Sequence, residues 1–153
     1  DSLSPRLSAF WPVRGPQWDA LGLSGTSPVL VEAKAHVDEF LSSATKAQGA
    51  SRLQIEQAFE CVQQDLGISA TSDWTKLFYQ YANRIAHLWW LREQGVEAHL
   101  IFVSFLGDDD IQGPQEPETW RAVFRAADYA LGLPTRHRLS RFIHHLMPRV
   151  ADI

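Results

Sequence analysis

Apolar and polar positions change period several times along the chain. Pro28-Val29-Leu30-Val31-Glu32-Ala33-Lys34-Ala35 is an apolar, β-branched run entered from turn residues, and it predicts a buried strand. Trp18-Asp19-Ala20-Leu21 reads as the preceding strand. The Ser24-Gly25-Thr26-Ser27 turn between them predicts an antiparallel hairpin. Leu53, Ile55, Phe59, Val62 and Leu66 recur at helical spacing, giving a helix over 51–66 with Ser51 as N-cap and Gly67 as stop. Trp74, Leu77, Phe78, Tyr81, Ile85, Leu88, Trp89 and Leu91 give the longest predicted helix, from about Asp73 to Gln94, ended by Gly95. A second strand follows over 97–106, so the long helix between strands is a crossover within one sheet. Pro117 opens a helix to Leu131, stopped by Gly132 and Pro134. Leu139, Phe142, Ile143 and Leu146 suggest a last short helix before Pro148. Asp38 and Glu39 read as the first turn of a short helix, 42–49 as a loop, and 1–16 as irregular with a short helix near Pro5–Phe10. The fold class is mixed α/β: a small central mixed sheet with an antiparallel hairpin, flanked by helices.

At 153 residues the chain is one domain, 1–153, with an irregular N-terminal segment (1–15) and a basic C-terminal one (135–153). A net charge of −4 lacks the basic footprint of a general nucleic-acid binder. The single cysteine, Cys61, excludes an internal disulfide, fits a reducing compartment and reads as a small core residue. No stretch is apolar enough to span a membrane and no signal peptide is visible, so a cytoplasmic location is expected; the start at Asp1 rather than Met suggests a trimmed N-terminus.

Side chains alternate faces along a strand, so Glu32 and Lys34 point the same way. A buried charge needs a partner, so these two either neutralise each other or share a site with a metal. Asp19, on the preceding strand, can sit beside Glu32 across the ladder. Two carboxylates and a lysine on one hairpin suit a hard cation such as Mg²⁺.

Asp19, followed by Glu32-Ala33-Lys34 after a hydrophobic strand, resembles the signature of the PD-(D/E)XK (restriction-endonuclease-like) nuclease superfamily. Trp18 stands where that motif has proline, and Pro16 lies two residues earlier. The resemblance implies that Asp19, Glu32 and the Ala33 carbonyl bind one or two Mg²⁺ or Mn²⁺ ions. It also implies that Lys34 orients the attacking water or stabilises the transition state, and that the chain hydrolyses DNA. Gln80 and Tyr79, on the helix after the acid-x-Lys strand, resemble the residues that reach back to such a site, although Arg84 stands where the exonuclease branch has tyrosine. The extra N-terminal glutamate that such folds often carry is missing, because no Glu precedes Glu32. His36 lies on the face of Lys34 if the strand continues, as a support residue or a polar strand end. Arg14, near the candidate site, could contact phosphate but is read as a solvated loop arginine, and Asp108-Asp109-Asp110 are read as solvated charges in the loop 107–117. The alternative is a non-catalytic nuclease-fold binding or assembly module whose acid-lysine cluster is a relic.

The C-terminal segment carries Arg136, His137, Arg138, Arg141, His144, His145 and Arg149. Arg136, Arg138 and Arg141 are the candidate DNA contacts, and the same basic segment also suits self-association as a homodimer. His144-His145 has no Cys or Glu at metal spacing, so no zinc site is assigned.

Overall fold

The computed structural model describes residues 3–153. In chain order the elements are α1 (Leu3–Phe10), β1 (Ala20–Ser24), β2 (Ser27–Lys34), α2 (Val37–Phe40), α3 (Gly49–Leu66), α4 (Tyr79–Glu93), β3 (His99–Ser104), α5 (Pro117–Leu131) and β4 (Ile143–Leu146). The strands form one mixed sheet in the order β1-β2-β3-β4, with β1 antiparallel to β2 and the other two pairs parallel. The expected α/β class and its hairpin are therefore present. Pairing of Ser24 with Ser27 leaves Gly25-Thr26 as the loop, and Gly25 takes a φ of 61°, a left-handed conformation that glycine adopts without steric cost.

α4 is the central helix. Every residue from Tyr81 to Leu88 is buried, including Asn83, Arg84 and His87. A helix covered all round must find a partner for each polar side chain it carries. Leu30 and Glu32 of β2 and Leu100, Phe102 and Ser104 of β3 face the interior, as a period of two requires. Tyr81 packs its ring on Phe40, Phe102 and Phe124 and donates its hydroxyl to Asp128 Oδ1 at 2.8 Å. Burial, followed by the adjacent Asp128 charge, pushes the Tyr81 phenol well above its ordinary pKa.

Four local readings are corrected. The long helix begins at Tyr79, not Asp73: residues 74–78 form turns, and Phe78 has a left-handed φ of 51°. Two anchors stop the helix from extending backwards. The Asp73 carboxylate accepts the Thr75 N–H at 2.9 Å, and Trp74 Nε1 donates to the Leu131 carbonyl at 2.9 Å. α3 starts at Gly49, so Ser51 lies inside it and Gln48 is the cap residue; its Leu53 is exposed and outside the core. Residues 143–146 are a strand, not part of a helix, because the edge of β3 offers unpaired backbone groups that so short a helix could not match. Cys61 is exposed rather than buried. The short N-terminal helix is present and spans Leu3–Phe10.

His87 carries a consequence for pH. Its Nδ1 lies 2.9 Å from the Asn83 carbonyl, and its ring is wedged against Trp11, Phe10 and Trp18. Burial, reinforced by the neighbouring Arg84 charge, lowers its pKa to about 4. The unfolded chain, titrating near the ordinary histidine value of 6.5, binds that proton first, so stability is full above this range and is lost as pH falls from there toward 4. From pH 7 to pH 5 this single group should remove about 2 kcal/mol. Urea denaturation at both pH values checks it: His87→Gln should lose correspondingly less than wild type between them. Equal losses would show that His87 is not the titrating group.

Candidate active site

The hairpin register ends with Ala20 opposite Val31, so Trp18 and Asp19, read from the sequence as part of the strand, precede β1. The Asp19 N–H also turns to the Val31 carbonyl, at 3.1 Å, which holds Asp19 beside the end of β2 and out of register with Glu32. The Asp19 side chain then turns along the edge, and its Oδ2 accepts the Ala33 N–H at 2.7 Å. Backbone groups of one strand residue point to the same side, so the Ala33 carbonyl faces the same edge, beyond the end of β1.

Glu32 is the buried centre, with 5% of its surface exposed. Lys34 Nζ lies 2.7 Å from its Oε1, and Arg84 Nε lies 2.6 Å from its Oε2. Arg84 reaches across from α4, donates a further bond to the Gln17 carbonyl at 2.9 Å and one to Asn83 Oδ1 at 3.3 Å, and holds its guanidinium 4.9 Å from the Trp18 ring centre. One carboxylate therefore carries a cation on each oxygen. A cavity of about 740 Å³ opens over this cluster, and its lining includes Arg14, Asp19, Glu32, Lys34, Tyr79 and Gln80. Three cations (Arg14, Lys34, Arg84) face two carboxylates there, giving a local excess of one positive charge in a chain of net −4.

The structure thus brings together Asp19, Glu32, Lys34, Gln80 and Tyr79. His36 is not among them: its Nδ1 accepts the Asp38 N–H at 3.1 Å and caps α2. Asp108 stays outside the cavity lining. Its loop closes on the end of β2 through Gly113, where a Cβ would come within 2.7 Å of the Ala35 carbonyl. Arg138 binds Asp65 and Glu93, at the far end of α4, about 20 Å from Gln80 at 1.5 Å per residue. Arg141 lies over the Phe142 ring. Two residues that pattern reading left out belong to the site. Arg84 shares a helix face with Gln80, four residues earlier, and a buried arginine on a crossover helix demands a buried carboxylate such as Glu32. For Arg14 no signal in the sequence separates a site residue from a loop residue.

Comparison with protein-family models, curated proteins and solved structures finds no match to this chain.

Among the described residues no group of three or more His, Cys, Asp or Glu is placed to hold a metal ion. The cavity lining offers oxygen ligands from the Asp19 and Glu32 carboxylates and the Gln80 amide, and Ala33, outside the lining, adjoins them through its N–H on Asp19. Gln80 Oε1 is buried without a hydrogen-bond partner among the described residues, an orphaned acceptor beside the acidic pair. That set fits Mg²⁺, which takes one or two carboxylates and keeps several waters.

Proposed function

We propose that this chain is a Mg²⁺- or Mn²⁺-dependent nuclease that hydrolyses DNA phosphodiester bonds at the Asp19–Glu32–Lys34 cluster. The observation that carries the reading is the convergence of these three residues on one electropositive cavity, with Gln80 facing them from α4. Asp19, the Ala33 carbonyl and Glu32 would hold the cation. When bound there, a divalent ion supplies a water of lowered pKa and neutralises charge on the scissile phosphate. Lys34, fixed by Glu32, holds the attacking water and meets charge that develops on the phosphate oxygens. Arg84 keeps the Glu32 carboxylate oriented. The resemblance to PD-(D/E)XK nucleases supports the same roles for Asp19, Glu32, Ala33 and Lys34.

A second reading rests on a specific observation: both oxygens of Glu32 are already matched by cations, so the cluster is neutralised without a metal. That favours a nuclease-fold binding or assembly module with a structural ion triad.

Metal titration by thermal shift separates the two. In the nuclease reading, Mg²⁺ or Mn²⁺ at a hundredfold excess over its Kd adds about 2.7 kcal/mol and raises Tm by several degrees. Asp19→Asn, exposed and still able to accept the Ala33 N–H, should lose that shift. Cleavage of plasmid and linear DNA under the same metals completes the test. No shift and no cleavage would discard the nuclease in favour of the module.

A further inference from the structure

The candidate site continues into a second cavity. The first, of about 740 Å³, and another of about 670 Å³ share Val13, Arg14 and Tyr79 as a common wall. The second lies between the Pro12–Arg14 stretch and the segment that runs from Thr45 into the first turns of α3, with Lys46, Gln48 and Ser51 in its lining. In a chain of net −4, this second cavity contains two cations, Arg14 and Lys46, and no carboxylate. Both cations are exposed, and among the described residues neither forms an ion pair. Unpaired arginine and lysine in a groove free of acids repel cationic ligands and attract a chain of anions. Tyr79 stands at the junction with one ring contact to Phe59, at 6.1 Å between centres.

Cations that track a backbone, with an aromatic ring between them, are the arrangement on which single-stranded nucleic acid lies, its phosphates on the charges and a base on the ring. The Pro12–Arg14 stretch and the segment from Thr45 to Ser51 both line the second cavity. A single strand presents unstacked bases to the Tyr79 ring, whereas the bases of a duplex are stacked on one another and out of its reach. We infer that the groove from Lys34 past Arg14 and Tyr79 to Lys46 binds a single-stranded stretch of DNA and leads it to or from the candidate site. The choice of DNA as the polymer rests on the nuclease reading; the charge and shape of the groove do not.

The test is fluorescence anisotropy with a short fluorescein-labelled single-stranded DNA and with its duplex, in EDTA so that cleavage plays no part, over a series of salt concentrations. Wild type should bind the single strand at least about tenfold tighter than the duplex. Arg14→Glu with Lys46→Glu should weaken single-strand binding by about tenfold or more. Its log–log salt slope should be shallower by about 1.4, at about 0.7 per lost phosphate contact. Arg14→Gln with Lys46→Gln should show the same change in slope, and unchanged Tm in both variants confirms that the fold is intact. Duplex binding as tight as single-strand binding, or variants that bind like wild type, would overturn the proposal. Groove binding in EDTA without metal-dependent cleavage would leave the groove standing and remove the nuclease reading. Cleavage with no effect of the Arg14 and Lys46 changes would do the reverse.

Discussion

Lys34→Ala should lower DNA cleavage about 10²- to 10³-fold in single-turnover assays while leaving the protein folded. Lys34 is the shallower of the two cations on Glu32, so its removal leaves Glu32 still paired with Arg84, and the cost in stability should be about 1.5–3 kcal/mol. The loss in rate, by contrast, removes the one compact ammonium at the mouth of the cavity. Lys34→Arg should not restore it, because a planar guanidinium cannot place its charge where an ammonium points and would compete with Arg84 for the Glu32 carboxylate. Asp19→Asn should also abolish cleavage, through a different deficit: the Ala33 N–H keeps an acceptor, but the carboxylate charge that would hold a divalent cation is gone. Single-turnover rates set against Tm separate chemistry from stability for both residues. Cleavage by Lys34→Ala at the wild-type rate would dismiss the assigned role.

The parts of this site that the sequence discloses are those governed by local rules. Period-two alternation places Glu32 and Lys34 on one face, and a turn with glycine at a left-handed position fixes the hairpin that brings Asp19 beside Val31 and Ala33 of β2. The parts it conceals depend on partners distant in sequence. Arg84 looks like a member of a polar helix face with Gln80 and His87 until α4 is seen to be buried on every side. Each of those side chains then needs its own environment: Arg84 meets Glu32, while His87 sits among aromatic rings from α1 and the stretch that follows it. β4 is hidden for the same reason. Four residues with two histidines carry little strand signal, and what makes them a strand is the open edge of β3. Arg138 likewise reads as a free cation in the sequence, where its two partners, Asp65 and Glu93 at the ends of two other helices, are out of view.

Arg84→Ala should be the most destabilising change at the site, by about 3–5 kcal/mol. Arg84 and Glu32 are both almost wholly buried and 2.6 Å apart, so losing the guanidinium leaves Glu32 with Lys34 alone and strands the Gln17 carbonyl and Asn83 Oδ1. Arg84→Lys should recover little, since one ammonium cannot reach all three acceptors and also cover Trp18. The decisive comparison is the double variant. If burial of an unmatched carboxylate dominates the loss, Glu32→Gln with Arg84→Ala should be less destabilised than the sum of the two single variants, by about 1–3 kcal/mol in urea denaturation. Additive losses would mean that the two side chains act independently despite their contact. The same energetics make Asp19, rather than Glu32, the residue on which to test for a metal. Glu32→Gln leaves Arg84 buried without its counter-ion and would lower Tm whether or not a cation binds, so only a change at the exposed carboxylate reads the cation alone.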